Sequence, residues 1–143
     1  MTVARMRLPG LLIALVVGVF ALTACNPIYE ADALSRLNQL RASHGLAALV
    51  RDPVLDRKAN AQAVRMARQE QISHSPDLKV AVPDGWKALG ENVGVGPSIA
   101  VIHDALVNSP GHLANMIDAR FGKVGLGSVQ RNGRIYLVQF FEG

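Results

Sequence analysis

Apolar residues return every three or four positions in several stretches of the chain. Leu34 and Leu37 align with Arg41, with Leu40 beside them, which predicts a helix over Ala31–Ser43. Gly45 sits where a helix usually closes, and His44 reads as a last-turn residue favoured by the helix dipole rather than as a ligand. In RDPVLDRKANAQAVRMARQE, the residues Leu55, Ala59, Ala63, Met66 and Ala67 share one face, with Asp52 as cap and Pro53 in the first turn. A face made largely of alanine implies a closely packed neighbour. Pro76 bars any helix beyond it. PSIAVIHDALVNSP predicts a third helix, capped by Ser98, with Ile99, Ile102 and Leu106 on its apolar face. His103 falls beside that face and reads as a surface residue. Ser109 and Pro110 open one more short helix.

The period changes towards the C-terminus. KVGLGSVQ and RIYLVQFFEG flank Asn132-Gly133, a strong two-residue hairpin signal. Ile135, Leu137 and Phe141 face one way, and Tyr136, Val138 and Phe140 the other. A strand apolar on both faces belongs in a sheet covered on both sides. The stretch from Lys79 to Pro97 is rich in Gly and Pro and reads as a loop, with a short strand around Glu91–Val95. Trp86, the single tryptophan, lies in this loop and either plugs the core or lines a cleft. Helices followed by antiparallel strands predict an α+β fold, a three-layer α-β-α sandwich around a central antiparallel sheet.

The N-terminus follows different rules. Arg5 and Arg7 precede an apolar run from Leu11 to Leu22, and small residues follow, which is the layout of an export signal. The run is short for a membrane span, which needs roughly 20 residues; an uncleaved anchor is the alternative. LTAC, ending at Cys25, resembles the bacterial lipobox. Cys25 is the only cysteine, so the chain has no internal disulfide. Acylation of Cys25 would remove an exposed thiol and supply a membrane anchor. The organisation read from this is a lipoprotein signal peptide over residues 1–24, a lipidated tether over 25–30 and one domain over 31–143, exported and held at the extracytoplasmic side of a membrane. Charge adds little. The chain has 15 Lys and Arg against 11 Asp and Glu, and setting aside Arg5 and Arg7 leaves 13 against 11. Without a basic stripe, an RNA-binding signature or zinc-finger spacing, nucleic acid is not an expected partner. The domain is large enough to bury a core of its own and reads as a monomer.

Four pieces carry candidate chemistry: SHS with His74, GENVGVG with Glu91, SPGH with His112, and FGKVGLG. If Ser109 caps its helix, His112 takes the third helical position, where a helix N-terminus of about +0.5 charge disfavours a second positive charge. Neutral imidazole is the form that binds metals and accepts protons. Glu91 could fix the tautomer of one ring through a hydrogen bond, or bind an ion directly. The three side chains could equally form a closed hydrogen-bonded cluster that pins loops to the core. GENVGVG lacks the Lys-Ser/Thr ending of a phosphate loop.

Taken in order and at these spacings, the four pieces, with LNQLRASHGLAAL and the alanine-rich helix, resemble the CAP superfamily of cysteine-rich secretory, antigen 5 and pathogenesis-related proteins. The bacterial SCP-domain branch is the nearest match, and the resemblance spans about Ala31 to Phe141. It implies a central cleft where two histidines and two acids hold a divalent metal in eukaryotic members. By that resemblance the histidines are His74 and His112 and one acid is Glu91. Ser109 stands in the place of the second acid, Leu106 where tryptophan is usual, and Leu113 where bacterial members carry arginine. The implied site is a His74–His112–Glu91 set for a divalent ion such as zinc, with Ser109 in the same cleft. The function implied is an envelope-anchored binding module for a small ligand, a lipid among them, or for a metal. The alternatives are a metal-assisted hydrolase using the same residues, and a structural or interaction protein of the cell envelope. Neither an HExxH motif nor a nucleophile–base–orienter triad is visible in the sequence.

Overall fold

The computed structural model describes residues 26–143 together with the backbone of Thr23 and Ala24. The rest of the expected signal segment, and Cys25 with its expected lipidation, lie outside the described residues. The elements run β1 (Thr23–Ala24), α1 (Pro27–Ser43), β2 (Val50–Arg51), α2 (Pro53–Gln69), β3 (Leu89–Gly96), α3 (Ile99–Val107), α4 (Pro110–Met116), β4 (Lys123–Arg131) and β5 (Arg134–Glu142). β5 lies between β3 and β4 and is antiparallel to both. The outer edge of β4 carries two short partners, β1 antiparallel at Val129–Gln130 and β2 parallel at Lys123–Val124. Both Asn132 (φ 51°) and Gly133 (φ 72°) have positive φ, as the two central residues of a tight hairpin turn require.

The sheet is covered on both faces, which gives the three layers. One face of β5 (Ile135, Leu137, Phe141) meets α1, α3 and α4 through Leu37, Ile102, Leu106 and Met116. The other face (Tyr136, Val138, Phe140) meets α2 through Leu55, Ala59, Ala63 and Met66. The alanines of α2 have a backbone for a neighbour. A Cβ built on Gly125 would lie 2.1 Å from the carbonyl carbon of Leu55, and one on Gly127 2.3 Å from that of Ala59. The glycines of FGKVGLG therefore let α2 rest directly on β4. The carboxylate of Asp52 accepts from the N–H groups of Val54 (2.8 Å) and Leu55 (3.2 Å) and fixes the start of this helix.

The structure corrects two boundaries and one burial, and agrees with the sequence on the end of α2. α1 starts at Pro27, not Ala31, because Asn26 caps it by accepting from Ile28 N–H (3.1 Å). Most of the expected tether is thus helix, and Glu30 within it is buried against Arg51 and Ser128. α2 ends at Gln69, ahead of Pro76, where Glu70 adopts a left-handed φ of 51°. β3 runs longer than expected, from Leu89 to Gly96. His103 is half-buried with its Nδ1 enclosed and without a hydrogen-bond partner, not a plain surface residue.

Two arginines lock the layers. Arg51 joins Glu30 of α1 to Asp56 of α2, and Asp56 also accepts from Leu126 N–H of β4 (2.8 Å). Arg41, 2% exposed, donates to the carbonyls of Ala47 (2.8 Å), Met116 (3.0 Å), Asp118 (3.0 Å) and Phe121 (3.2 Å). It thereby ties α1 to the segment that joins α4 to β4. Burial lowers the Arg41 pKa, against the opposing charge of Asp118.

Candidate functional site

His74 lies in the segment that leaves α2, and α2 itself holds it. Gln62 donates its amide to the Ser73 carbonyl, and Arg65 donates to the His74 carbonyl (2.8 Å). Glu91 comes from β3, with its side chain 1% exposed. A carboxylate so deeply buried needs donors. Its Oε1 accepts from His74 Nδ1–H (2.9 Å) and Ser75 N–H (2.8 Å), and its Oε2 accepts from the Ser75 hydroxyl. The Glu91 bond puts the ring proton of His74 on Nδ1 and leaves Nε2 with its lone pair facing outward.

His112 arrives from the opposite layer, on α4. Ser109 occupies the cap position, yet its hydroxyl caps no backbone N–H. It lies 2.8 Å from His112 Nδ1 instead and holds the ring from behind. A polar network fixes the helix beneath. Asn92 donates to the His112 carbonyl (3.0 Å) and to Gln139 Oε1 (3.3 Å), while Asn115 donates to Asn92 Oδ1 (3.0 Å). Asn92 and Gln139 are both fully buried. Alternation along β3 explains the division of labour, with Glu91 turned to the α2 layer and Asn92 to the α4 layer.

The structure thus brings His74, Glu91, His112 and Ser109 into one cluster. The two imidazoles stack with centroids 6.4 Å apart and planes 23° from parallel. Each has Nδ1 engaged, so the Nε2 edges are the groups left to meet a ligand. Burial, and then the neighbouring His74, holds the His112 pKa below the usual imidazole value. The sequence points to the same neutral state through the helix dipole, and burial favours it too.

A resident metal centre needs more than this. Among the described residues, no group of three or more His, Cys, Asp or Glu is arranged to hold an ion. Glu91 stands behind His74 with both oxygens taken, in the place of a carboxylate that orients a ligand rather than acts as one. Ser109, where a second acid is implied, contributes a hydroxyl. The set fits two histidine donors, short of the three or four protein ligands usual for zinc.

Other candidates sit elsewhere. The His44 ring faces the Leu40 carbonyl at 3.0 Å, at the end of α1. Trp86 is half-buried beside Lys79, whose ammonium lies 5.8 Å from the ring centre, and belongs to neither apolar core. Sequence reasoning missed Asn92, Asn115, Gln139, Gln62 and Arg65. Asn92 directly follows Glu91 in GENVG, so strand alternation would have placed it on the opposite face and called for a partner there.

Known proteins share this fold, and a family model matches the sequence. The model of the cysteine-rich secretory protein family, CAP, matches residues 34–141. The uncharacterized protein YkwD of Bacillus subtilis is 29% identical over 120 residues, 78% of this chain. The chain spans about half, 46%, of that relative's length. An outer surface protein of Borrelia burgdorferi superposes with a TM-score of 0.75 at 18% identity, covering 85% of this chain and 98% of the other. An extracellular SCP-domain protein of Bacillus anthracis gives 0.69 at 22%, covering 81% and 40%. NaASP2, solved with Zn2+, gives 0.59 at 16%, covering 81% and 80%.

Proposed function

This chain belongs to the CAP family, and from that premise we propose that it is an exported, membrane-anchored binding module whose ligand meets the paired Nε2 edges of His74 and His112. The observation that carries the reading is the 6.4 Å stack of two imidazoles, each fixed from behind at Nδ1, His74 by Glu91 and His112 by Ser109. Side chains held in this way are already oriented for an incoming group, so little ordering cost remains on binding. The lowered His112 pKa keeps that ring in its donor form at neutral pH.

A small ligand with O–H or N–H groups would donate hydrogen bonds to the Nε2 lone pairs, and a divalent cation would take the two lone pairs with water completing its shell. The NaASP2 structure with Zn2+ makes zinc the cation to try first. When bound, it would supply positive charge at the cleft mouth. Glu91 would then hold the His74 proton on Nδ1, and His112 would donate Nδ1–H to the Ser109 hydroxyl. Calorimetry of the full-length chain with zinc should show weak saturable binding at pH 7.5 that fades by pH 5.5, as protons compete for rings of reference pKa about 6.5. Ser109→Glu adds a carboxylate and should tighten it. Unchanged binding in His112→Ala would place the ion elsewhere and sink the reading.

Export and anchoring rest on the Arg5/Arg7 signal layout and on LTAC at Cys25. The outer-surface and extracellular descriptions of two similar structures support export. Among the described residues no helix is long and apolar enough to cross a membrane. Cys25 is the residue that tests the anchor. Metabolic labelling with a clickable fatty acid should mark the wild type and not Cys25→Ala; an unlabelled wild type that retains residues 1–24 would end the lipoprotein reading.

A further inference from the structure

The two edges of the sheet are finished differently. β4 is sealed along its outer edge by β1 and β2, and between them Leu126 N–H donates to Asp56 Oδ1 (2.8 Å). β3 forms the opposite edge, with β5 as its one strand neighbour among the described residues. Ala88 and Gly143 exchange both main-chain bonds, N–H to carbonyl, at 2.9 and 3.0 Å. From that pair the antiparallel ladder alternates, so Gly90, Asn92, Gly94 and Gly96 bond β5. The N–H and C=O groups of Glu91, Val93 and Val95 therefore point away from the sheet. Asn115 donates to the Glu91 carbonyl (3.4 Å). Among the described residues, no main-chain partner meets the Glu91 N–H or either group of Val93 and Val95.

Natural sheets blunt an open edge with lysine, proline or a bulge. β3, LGENVGVG, has none of these, its register with β5 is unbroken, and its single charge, Glu91, is spent on His74 and Ser75. Both faces of β3 are covered, by α2 on one side and by α3 and α4 on the other. Glu91 and Val93 are only 5% and 4% exposed, so the free groups lie recessed between the layers. Main-chain groups enclosed in this way are costly to leave unpaired. Donors and acceptors repeated on every second residue match another extended main chain. A single segment is slim enough to reach a recessed edge, whereas the flush sheet edge of a second folded copy is not. From Glu91 to Val95 the edge runs about 13 Å, room for about five residues of a partner.

We propose that an extended peptide segment adds to β3 as a further strand, bonded main chain to main chain at Val93 and Val95. The histidine pair stands at the Glu91–Asn92 end of this stretch, since His74 bonds Glu91 and Asn92 bonds the His112 carbonyl. The added strand rests on backbone groups and not on the imidazoles. Failure of zinc binding therefore leaves strand addition standing, and failure of strand addition leaves the histidine reading standing.

The test starts with the full-length chain alone. In amide hydrogen exchange, Val93 and Val95 should exchange about a hundredfold or more faster than Asn92 and Gly94, whose N–H groups bond β5. Random hexapeptides displayed on phage are then selected on the chain, and those retained are synthesised with acetylated and amidated ends. Their binding should saturate at one per chain in calorimetry and slow the exchange of Val93 and Val95. Methylating the peptide amides one at a time should weaken binding about tenfold at alternate positions and by less than about twofold at the others. Val95→Pro removes an outward N–H without touching a β5 bond, and should also weaken binding about tenfold; the methylated peptides carry the test if that variant does not fold. Val93 and Val95 already protected in the free chain, a selection without a saturable binder, or methylation effects that ignore position would each overturn the proposal. Protection that rises with protein concentration, together with a dimer in sedimentation, would overturn it too and give the edge to a second copy.

Discussion

Replacing Gly127 by alanine adds one methyl group where α2 touches β4. That methyl carbon would lie 2.3 Å from Ala59 C, 2.4 Å from Asn60 N and 2.5 Å from Ala59 O. All three are backbone atoms, so no rotamer change relieves the overlap. Carbon contacts settle at about 3.5–4.0 Å, so the helix must stand off by roughly 1 Å. A gap of that size forfeits about a quarter to a half of the dispersion energy at each contact it opens. Leu55 and Met66 are fully buried on this face, each worth about 1.5–3 kcal/mol of burial. Their share of the loss is about 1–3 kcal/mol, and residual overpacking adds about 1–3 kcal/mol. The expected total of about 2–6 kcal/mol is a large part of a domain stability of about 5–15 kcal/mol. Calorimetry of the full-length variant should show melting lowered by roughly 10–20 °C, at about 4 °C per kcal/mol for this size. Gly111 has open space around its Cβ position and lies in α4, so Gly111→Ala is the matched control, expected within about 1 kcal/mol of the parent. A Gly127→Ala protein melting within about 2 °C of the parent would mean that α2 yields at no cost, and that the alanine-on-glycine contact is not what sets the layer spacing.

Three further outcomes follow from the same structure. Arg41→Met should cost about 3 kcal/mol or more in urea unfolding, because four carbonyls lose a charged donor, and Arg41→Lys should recover only part, since one ammonium cannot span from Ala47 to Phe121. Glu91→Ala should cost about 1–3 kcal/mol through the unpaired Ser75 N–H, and nitrogen NMR should show the His74 ring losing its fixed Nδ1–H tautomer; an unchanged spectrum would deny Glu91 that role. His112 and His103 both have lowered pKa values, burial being the larger cause in each, so the unfolded chain takes up the proton first. Their stabilisation is present above about pH 6.5 and is lost as pH falls through the folded values; His112→Asn should flatten the fall in urea midpoint between pH 7 and 5, and an unchanged slope would refute the assignment.

Periodicity and turn chemistry carried most of the fold. Asp52-Pro53 marks the start of α2, Asn132-Gly133 the hairpin, and the alternation of β5 the two covered faces. The misses have local causes. Asn26-Pro27 is itself a cap-and-first-turn pair, but its nearness to Cys25 made it read as tether. β1 and β2, two residues each, are too short for any period. In the site, the histidines and Glu91 stand in short motifs, whereas Asn92, Asn115 and Gln139 look like solvent-facing amides until β3 and α4 are brought together. His103 looks superficial because helical spacing places its Cα beside the apolar face without saying where its ring goes.

The rest of α2 on the β4 glycines reaches further than stability. Gln62 and Arg65 hang the Ser73–His74 backbone from α2, so the helix's height above the sheet fixes where the His74 ring can stand. His112 is referenced to the same sheet from below, through Asn92. The gap between the two rings is therefore a stack-up of tolerances, as in an assembly of machined parts, with Gly125 and Gly127 as the thinnest shims. A methyl group there would change the gauge of the cleft without touching a single atom in it.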